Sequence, residues 1–238
     1  MADHDPSHNE TRDAHRLTLK GLLQLIWARL RVFFAPMTNE ESSREELRNA
    51  QMKELHRAIG EFAVAFEQMN GEIWACIMWQ LQAAGLKDQS IAQILLAKQT
   101  ADPLRELLKS LIGHMRPANP AEEKIIKNLF ARHLTITKER NDYLHGIWHI
   151  GWGNEQTVDW SVATGYKLDR KKEGTNVKVF SFKVDDFETL TIEANALNQL
   201  FRRLSGCFTG PFAVEKNLAF DDDGKVIELK ASVASDDG

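Results

Sequence analysis

Lys138-Glu-Arg-Asn-Asp-Tyr-Leu-His-Gly-Ile-Trp148 closes a run of helical periodicity that starts near Ala121 and reads as a helix to Gly146. At about 100° per residue, Ile126, Leu129, Phe130, Ile136, Leu144, Ile147 and Trp148 share one broad arc. Arg140 falls near the middle of that arc, and Asn141 and His145 stack one turn apart along its edge. A guanidinium set among apolar neighbours is not an ordinary solvated charge. It needs a partner, an interface or an anionic ligand, because an unpaired buried charge is very costly.

The chain upstream supplies helices for this one to pack on. Leu55, Ile59, Phe62, Phe66, Met69, Ile73 and Ile77 recur every three or four residues, the strongest periodicity in the chain. They predict a core helix within 39–84, with N-cap chemistry at Asn39 and a capping box at Ser43–Glu46. Glu67 and Glu72 lie off that stripe and read as surface acids. Gly85 closes this helix, and Asp88 or Ser90 caps the next. Residues 89–115 place Ile91, Ile94, Leu95, Leu104, Leu107, Leu108 and Leu111 on an apolar face, with Pro103 splitting or kinking the region. Asn119 caps the central helix, which starts at Pro120 or Ala121. Further upstream, 16–36 predicts an amphipathic helix that packs on the bundle or on a second subunit. A membrane surface is its minor reading. Residues 1–15 read as disordered.

Downstream the composition changes. Thr157–Ala163 and Asn176–Val184 are rich in β-branched and aromatic residues, predicting an antiparallel hairpin over about 156–184. Its long tip carries Lys167, Arg170, Lys171 and Lys172, which read either as a solvated tip or as a phosphate-contacting finger. Asp185 and Asp186 cap a last helix, Phe187 to Leu204, and Asp223-Gly224 turns between two short extended segments. The expected fold class is mainly α: one helical domain over 39–220 with an inserted antiparallel β-hairpin before the last helix, then an acidic tail at 221–238.

Charge is uneven along the chain. Residues 1–15 carry −3 and residues 221–238 carry −4, which leaves the middle at +3. That balance permits a nucleic-acid partner without demanding one. Cys76 and Cys207 are far apart in apolar surroundings and read as reduced core residues. The acidic, polar opening is unlike a secretory leader, and no apolar run reaches the length of a membrane span, so a cytoplasmic location is expected. Walker loops, dinucleotide-binding glycine motifs, nucleophile elbows and paired metal-binding cysteines are all absent, so no metal or cofactor is expected. His145 and His149 have a spacing that one helical face can present to a metal, but Gly146 interrupts them.

Arg140-Asn-Asp-Tyr-Leu-His145 resembles the R-x4-6-H motif of the HEPN superfamily, including the polar residue directly after the arginine. In helix order the resemblance extends over roughly 50–210, with the motif late in an α-helical bundle; in sequence detail it is confined to Arg140, Asn141 and His145. The hairpin and the 16–36 helix depart from that pattern. The resemblance implies metal-independent RNA cleavage at a site formed across a homodimer, with an antitoxin or regulatory protein restraining it, as in toxin and phage-defence members. RNA is the implied partner and DNA is not.

The chemistry suits these residue types. RNA brings its own nucleophile, the 2′-hydroxyl. Histidine exchanges protons near neutral pH. Arginine stays charged and offers planar, bidentate donors to phosphate. Asn141 can orient His145 or bond the phosphate, and a two-fold dimer would supply a second histidine. Two other readings stay open. Arg140 can pair internally with Glu67, Glu72 or Glu139 while Asn141 and His145 end a helix. The pocket can also bind a nucleotide or RNA without cleaving it.

Overall fold

The computed structural model describes residues 39–115, 118–151, 159–171, 174–210 and 212–229. The expectations for 1–15, for the helix at 16–36, for the start of the hairpin before 159, for Lys172 and for the tail beyond 229 lie outside the described residues. The chain divides into two compact units, Met1–Leu47 and Arg48–Gly238. In the first, 39–47 is helical, and the Ser43 hydroxyl donates to the Asn39 carbonyl at 2.9 Å. The helix is already under way at Asn39, so Ser43 is an interior residue and not the cap expected there.

The elements run α1 (Asn39–Ala83), α2 (Gln89–Leu96), α3 (Ala101–Met115), α4 (Pro120–Leu144), β1 (Ile147–Ile150), β2 (Val162–Lys171), β3 (Gly174–Lys183) and α5 (Val184–Thr209). A 3-10 turn and two short paired strands, β4 (Leu218–Phe220) and β5 (Val226–Glu228), follow. The fold is mainly helical, with a small antiparallel sheet before the last long helix. Among the described residues no helix is long and apolar enough to cross a membrane.

The core forms where apolar stripes meet. Leu55, Phe62, Phe66, Met69, Ile73 and Ile77 of α1 are buried together with Leu129, Phe130 and Ile136 of α4 and Phe187, Leu197, Phe201 and Leu204 of α5. Burying side chains of this size contributes about 1.5–3 kcal/mol each, so these helices position everything else. Cys76 and Cys207 are buried thiols that form no disulfide with each other; burial pushes the Cys76 thiol up to about 12, and its Sγ donates to the Phe201 carbonyl.

Between α2 and α3 the chain breaks at 97–100, where Lys98 takes a positive φ of 66°. The break lies upstream of Pro103, which sits in the first turn of α3, where a missing N–H removes no helical bond. The apolar face expected on α2 is corrected. Ala92 and Leu96 are the buried residues, while Ile91, Ile94 and Leu95 are exposed. A helix of eight residues has room for one narrow contact stripe, and here the small residue defines it. Ile192 of α5 is likewise exposed.

The entry to α4 follows the sequence closely. Asn119 Oδ1 accepts from the backbone N–H groups of Ala121 (3.0 Å) and Glu122 (2.9 Å), and Glu122 accepts in return from the Asn119 N–H (3.3 Å). The exit is corrected. The helix ends at Leu144, and Ile147 and Trp148 leave its arc to form β1. The Trp148 indole N–H donates back to the Tyr143 carbonyl, which turns the strand against the helix end. An aromatic seam then joins sheet to bundle, running from Phe180 to Trp148 (5.0 Å), Tyr143 (5.9 Å) and Phe187 (5.2 Å).

The sheet has the order β1-β2-β3, so the expected hairpin gains a third strand. Its tip is shorter than expected, because β2 and β3 stay paired from Val162↔Lys183 to Lys171↔Gly174. Lys167 therefore lies inside the ladder, opposite Lys178. The cross-strand pairs Tyr166↔Val179 and Leu168↔Val177 carry β structure through the charged stretch. Gly165 and Gly146 make room for the Phe180 ring, with which a Cβ at either position would collide. Gly165→Ala should therefore cost about 1–3 kcal/mol, as overpacking does. A lowered urea midpoint with an unchanged slope checks this, and wild-type stability would contradict it.

Candidate functional site

Arg140, Asn141 and His145 line one open cleft of about 530 Å³, together with Phe66, Glu67, Asn70 and Trp74 of α1 and Gln99, Thr100 and Asp102 at the α2–α3 junction. Three spaced positions at the end of α4 thus converge on a single space, because i, i+1 and i+5 straddle one edge of the helix.

Arg140 continues the stripe of His133, Thr137 and Ile136 but emerges at the edge of the core, with 26% of its side chain exposed. Its guanidinium lies over the Phe66 ring, 5.1 Å from the centroid. Nη2 donates to Glu67 Oε1 and Nη1 to Asn141 Oδ1, both at 3.2 Å. Glu67 is the internal partner, since Glu72 pairs with Arg202 instead. With 65% of the Glu67 side chain exposed, that ion pair is worth about 0–1 kcal/mol. A phosphate can compete with it. Among the described residues these two bonds leave further guanidinium donors to face the cleft.

Asn141 Oδ1 accepts from the arginine, and among the described residues no hydrogen bond joins its side chain to His145. His145 is the C-cap of α4; its backbone N–H bonds the Asn141 carbonyl at 3.2 Å and its ring is exposed at the cleft. His149 stands apart on β1, stacked 6.0 Å from Tyr166. Among the described residues no three His, Cys, Asp or Glu side chains cluster as metal ligands.

Of the basic finger, the side chain of Lys167 alone lies among the described residues. Lys167 lies 3.5 Å from Asp142, and Lys178 bonds the same carboxylate. Burial works to raise the Asp142 carboxyl, but its bonds to Lys178 and Lys167 prevail and hold it below its usual range. Arg170 and Lys171 belong to β2 rather than to a loop. Their side chains, and Lys172, lie outside the described residues.

Beneath the cleft floor is a layer that the sequence reading missed. His133 is fully buried, edge-on to Phe201 at 5.9 Å, with Nε2 3.2 Å from Asn70 Oδ1. Asn70 Nδ2 donates to the Phe66 carbonyl at 3.1 Å. A carbonyl can only accept, so Asn70 must present its amide nitrogen to Phe66 and its oxygen to His133. His133 is then the donor through Nε2–H. Thr137 adds a bond to the His133 carbonyl at 2.7 Å. Both polar residues were visible as interruptions of apolar stripes: Asn70 four after Phe66, and His133 between Phe130 and Ile136.

No family model matches the chain, and neither a curated protein nor a solved structure matches it. The site must be judged on its own chemistry.

Burial, aided by the charge of Arg105 and opposed by that of Asp102, lowers His133 from 6.5 to about 4. The unfolded chain therefore takes up this proton first as pH falls, and stability is full above pH 6.5 and declines toward pH 4. Relative to His133→Gln, the parent should lose about 2 kcal/mol between pH 7 and pH 5. Denaturant titrations at the two pH values measure this; parallel behaviour of the two proteins would contradict it.

Proposed function

We propose that this protein is a metal-independent endoribonuclease whose cleft holds a scissile RNA phosphate. One observation carries the reading: Arg140, Asn141 and His145, which match the R-x4-6-H pattern, line a single cleft, with the guanidinium half-buried and anchored by an exposed acid.

Arg140 binds two non-bridging phosphate oxygens and neutralises the charge that builds as the phosphorus becomes five-coordinate. Asn141 fixes the guanidinium plane. The ribose 2′-oxygen attacks phosphorus and gives its proton to a histidine acting as base. The 5′-oxygen leaves and takes a proton from an acid. The products are a 2′,3′-cyclic phosphate and a 5′-hydroxyl. One chain brings one motif histidine, His145, so the second proton carrier is the His145 of another copy, in a homodimer whose two clefts face each other. The same reading requires restraint of the nuclease in the cell, by an antitoxin or a regulatory protein.

A second reading has an observation in its favour. The His145 ring is exposed, and among the described residues no hydrogen bond sets its tautomer. A cleft of that kind suits salt-sensitive binding of RNA or a nucleotide without cleavage.

Purified protein on mixed RNA with chelator present separates these outcomes. The nuclease reading expects cutting that falls by about 10²–10⁴ in His145→Ala, as loss of a proton-transfer group does. Arg140→Ala should lose both cutting and binding. Salt-sensitive binding with no cutting supports the second reading. Equal cutting by parent and His145→Ala contradicts the first.

A further inference from the structure

The cleft is larger than a phosphate needs, and its far wall differs in chemistry from the Arg140 end. Its volume, about 530 Å³, lies within the range of small-ligand pockets, roughly 300–1,000 Å³. Away from Arg140 the lining is Asn70, Gly71 and Trp74 on one side and Gln99 on the other: an aromatic ring and two amides, with no cation among them. Asp102 stands at the same end, its carboxylate already paired with Arg105 at 2.6 Å. An acid in the first turn of α3 repels a second phosphate there.

Resting on the ribonuclease reading, we infer that this end of the cleft is a base-recognition subsite, in which a nucleobase lies against Trp74 and is read by the Asn70 amide. Asn70 is 7% exposed and cannot swing. Buried His133 holds its oxygen and the Phe66 carbonyl holds one amide hydrogen. What remains for a ligand is one N–H and one oxygen lone pair on the same rigid group. That pair complements a base edge with a donor beside an acceptor, the pattern by which asparagine reads adenine. Trp74 lies one turn along α1 and offers a partly buried face for stacking.

Gly71 gives the subsite its room. It lines the cleft, and a Cβ built on it meets nothing within 4 Å. A larger side chain there occupies the subsite and not the core, and removing a mid-helix glycine favours the helix. Gly71→Leu is therefore a folded variant with the base end blocked and the phosphate end untouched.

Calorimetric titration of the full chain with AMP, GMP, CMP, UMP and ribose 5-phosphate tests the proposal. The parent should bind AMP about tenfold or more tighter than ribose 5-phosphate, within the range of base–aromatic stacking, and tighter than the other nucleotides. Gly71→Leu should lose that advantage while binding ribose 5-phosphate as the parent does; Arg140→Ala should lose both ligands. Equal binding of AMP and ribose 5-phosphate, unchanged by Gly71→Leu, would overturn the base subsite and leave the phosphate site standing. Failure of every ligand to bind would overturn both.

Discussion

The hydrogen bond between His133 and Asn70 is the constraint on which the cleft depends. It joins α4 to α1 through a fully buried imidazole and an amide at the floor of the cleft, so His133 has no alternative partner for its Nε2–H. Removing Asn70 would leave the buried His133 N–H unpaired, at a cost of about 1–3 kcal/mol. Because the bond fixes how α4 lies on α1, it also fixes where Arg140, seven residues further along α4, emerges over Phe66, four residues back along α1. The polar layer is thus both a packing device and a rangefinder for the guanidinium.

Above that layer the electrostatics are graded by exposure. His133 is enclosed and held neutral. Arg140 is half-buried and charged, supported by a ring face below and an acid at the rim. Glu67 faces water, where its hold on the arginine is weak and can be exchanged for a ligand. Asp142, one residue beyond Asn141, points the other way and ties the helix end to the sheet through Lys167 and Lys178. The sheet therefore braces the motif, and among the described residues none of its side chains lines the cleft.

Much of this was legible in the sequence, for reasons that can be named. The α1 stripe and the Asn119–Pro120 cap are local patterns of spacing and hydrogen bonding, and both formed as read. The convergence of Arg140, Asn141 and His145 follows from helical spacing alone. The exit of α4 was misread because Ile147 and Trp148 fit a helical arc and a strand equally well; the Tyr143–Trp148 bond and the pairing with β2, a tertiary event, decided it. The α2 face failed because hydrophobicity alone does not say which side of a short helix meets a neighbour. The hairpin tip failed because charged residues do not end a ladder when their partners keep pairing. Asn70 and His133 were passed over because a polar residue on an apolar stripe announces a partner without naming it.

End-group analysis of RNA after incubation with the protein, by mass spectrometry, tests the central claim most directly. A 2′-hydroxyl attack at Arg140 and His145 predicts fragments that end in 2′,3′-cyclic phosphate and begin with 5′-hydroxyl. Fragments with 3′-hydroxyl and 5′-phosphate ends, or RNA left whole, would contradict it.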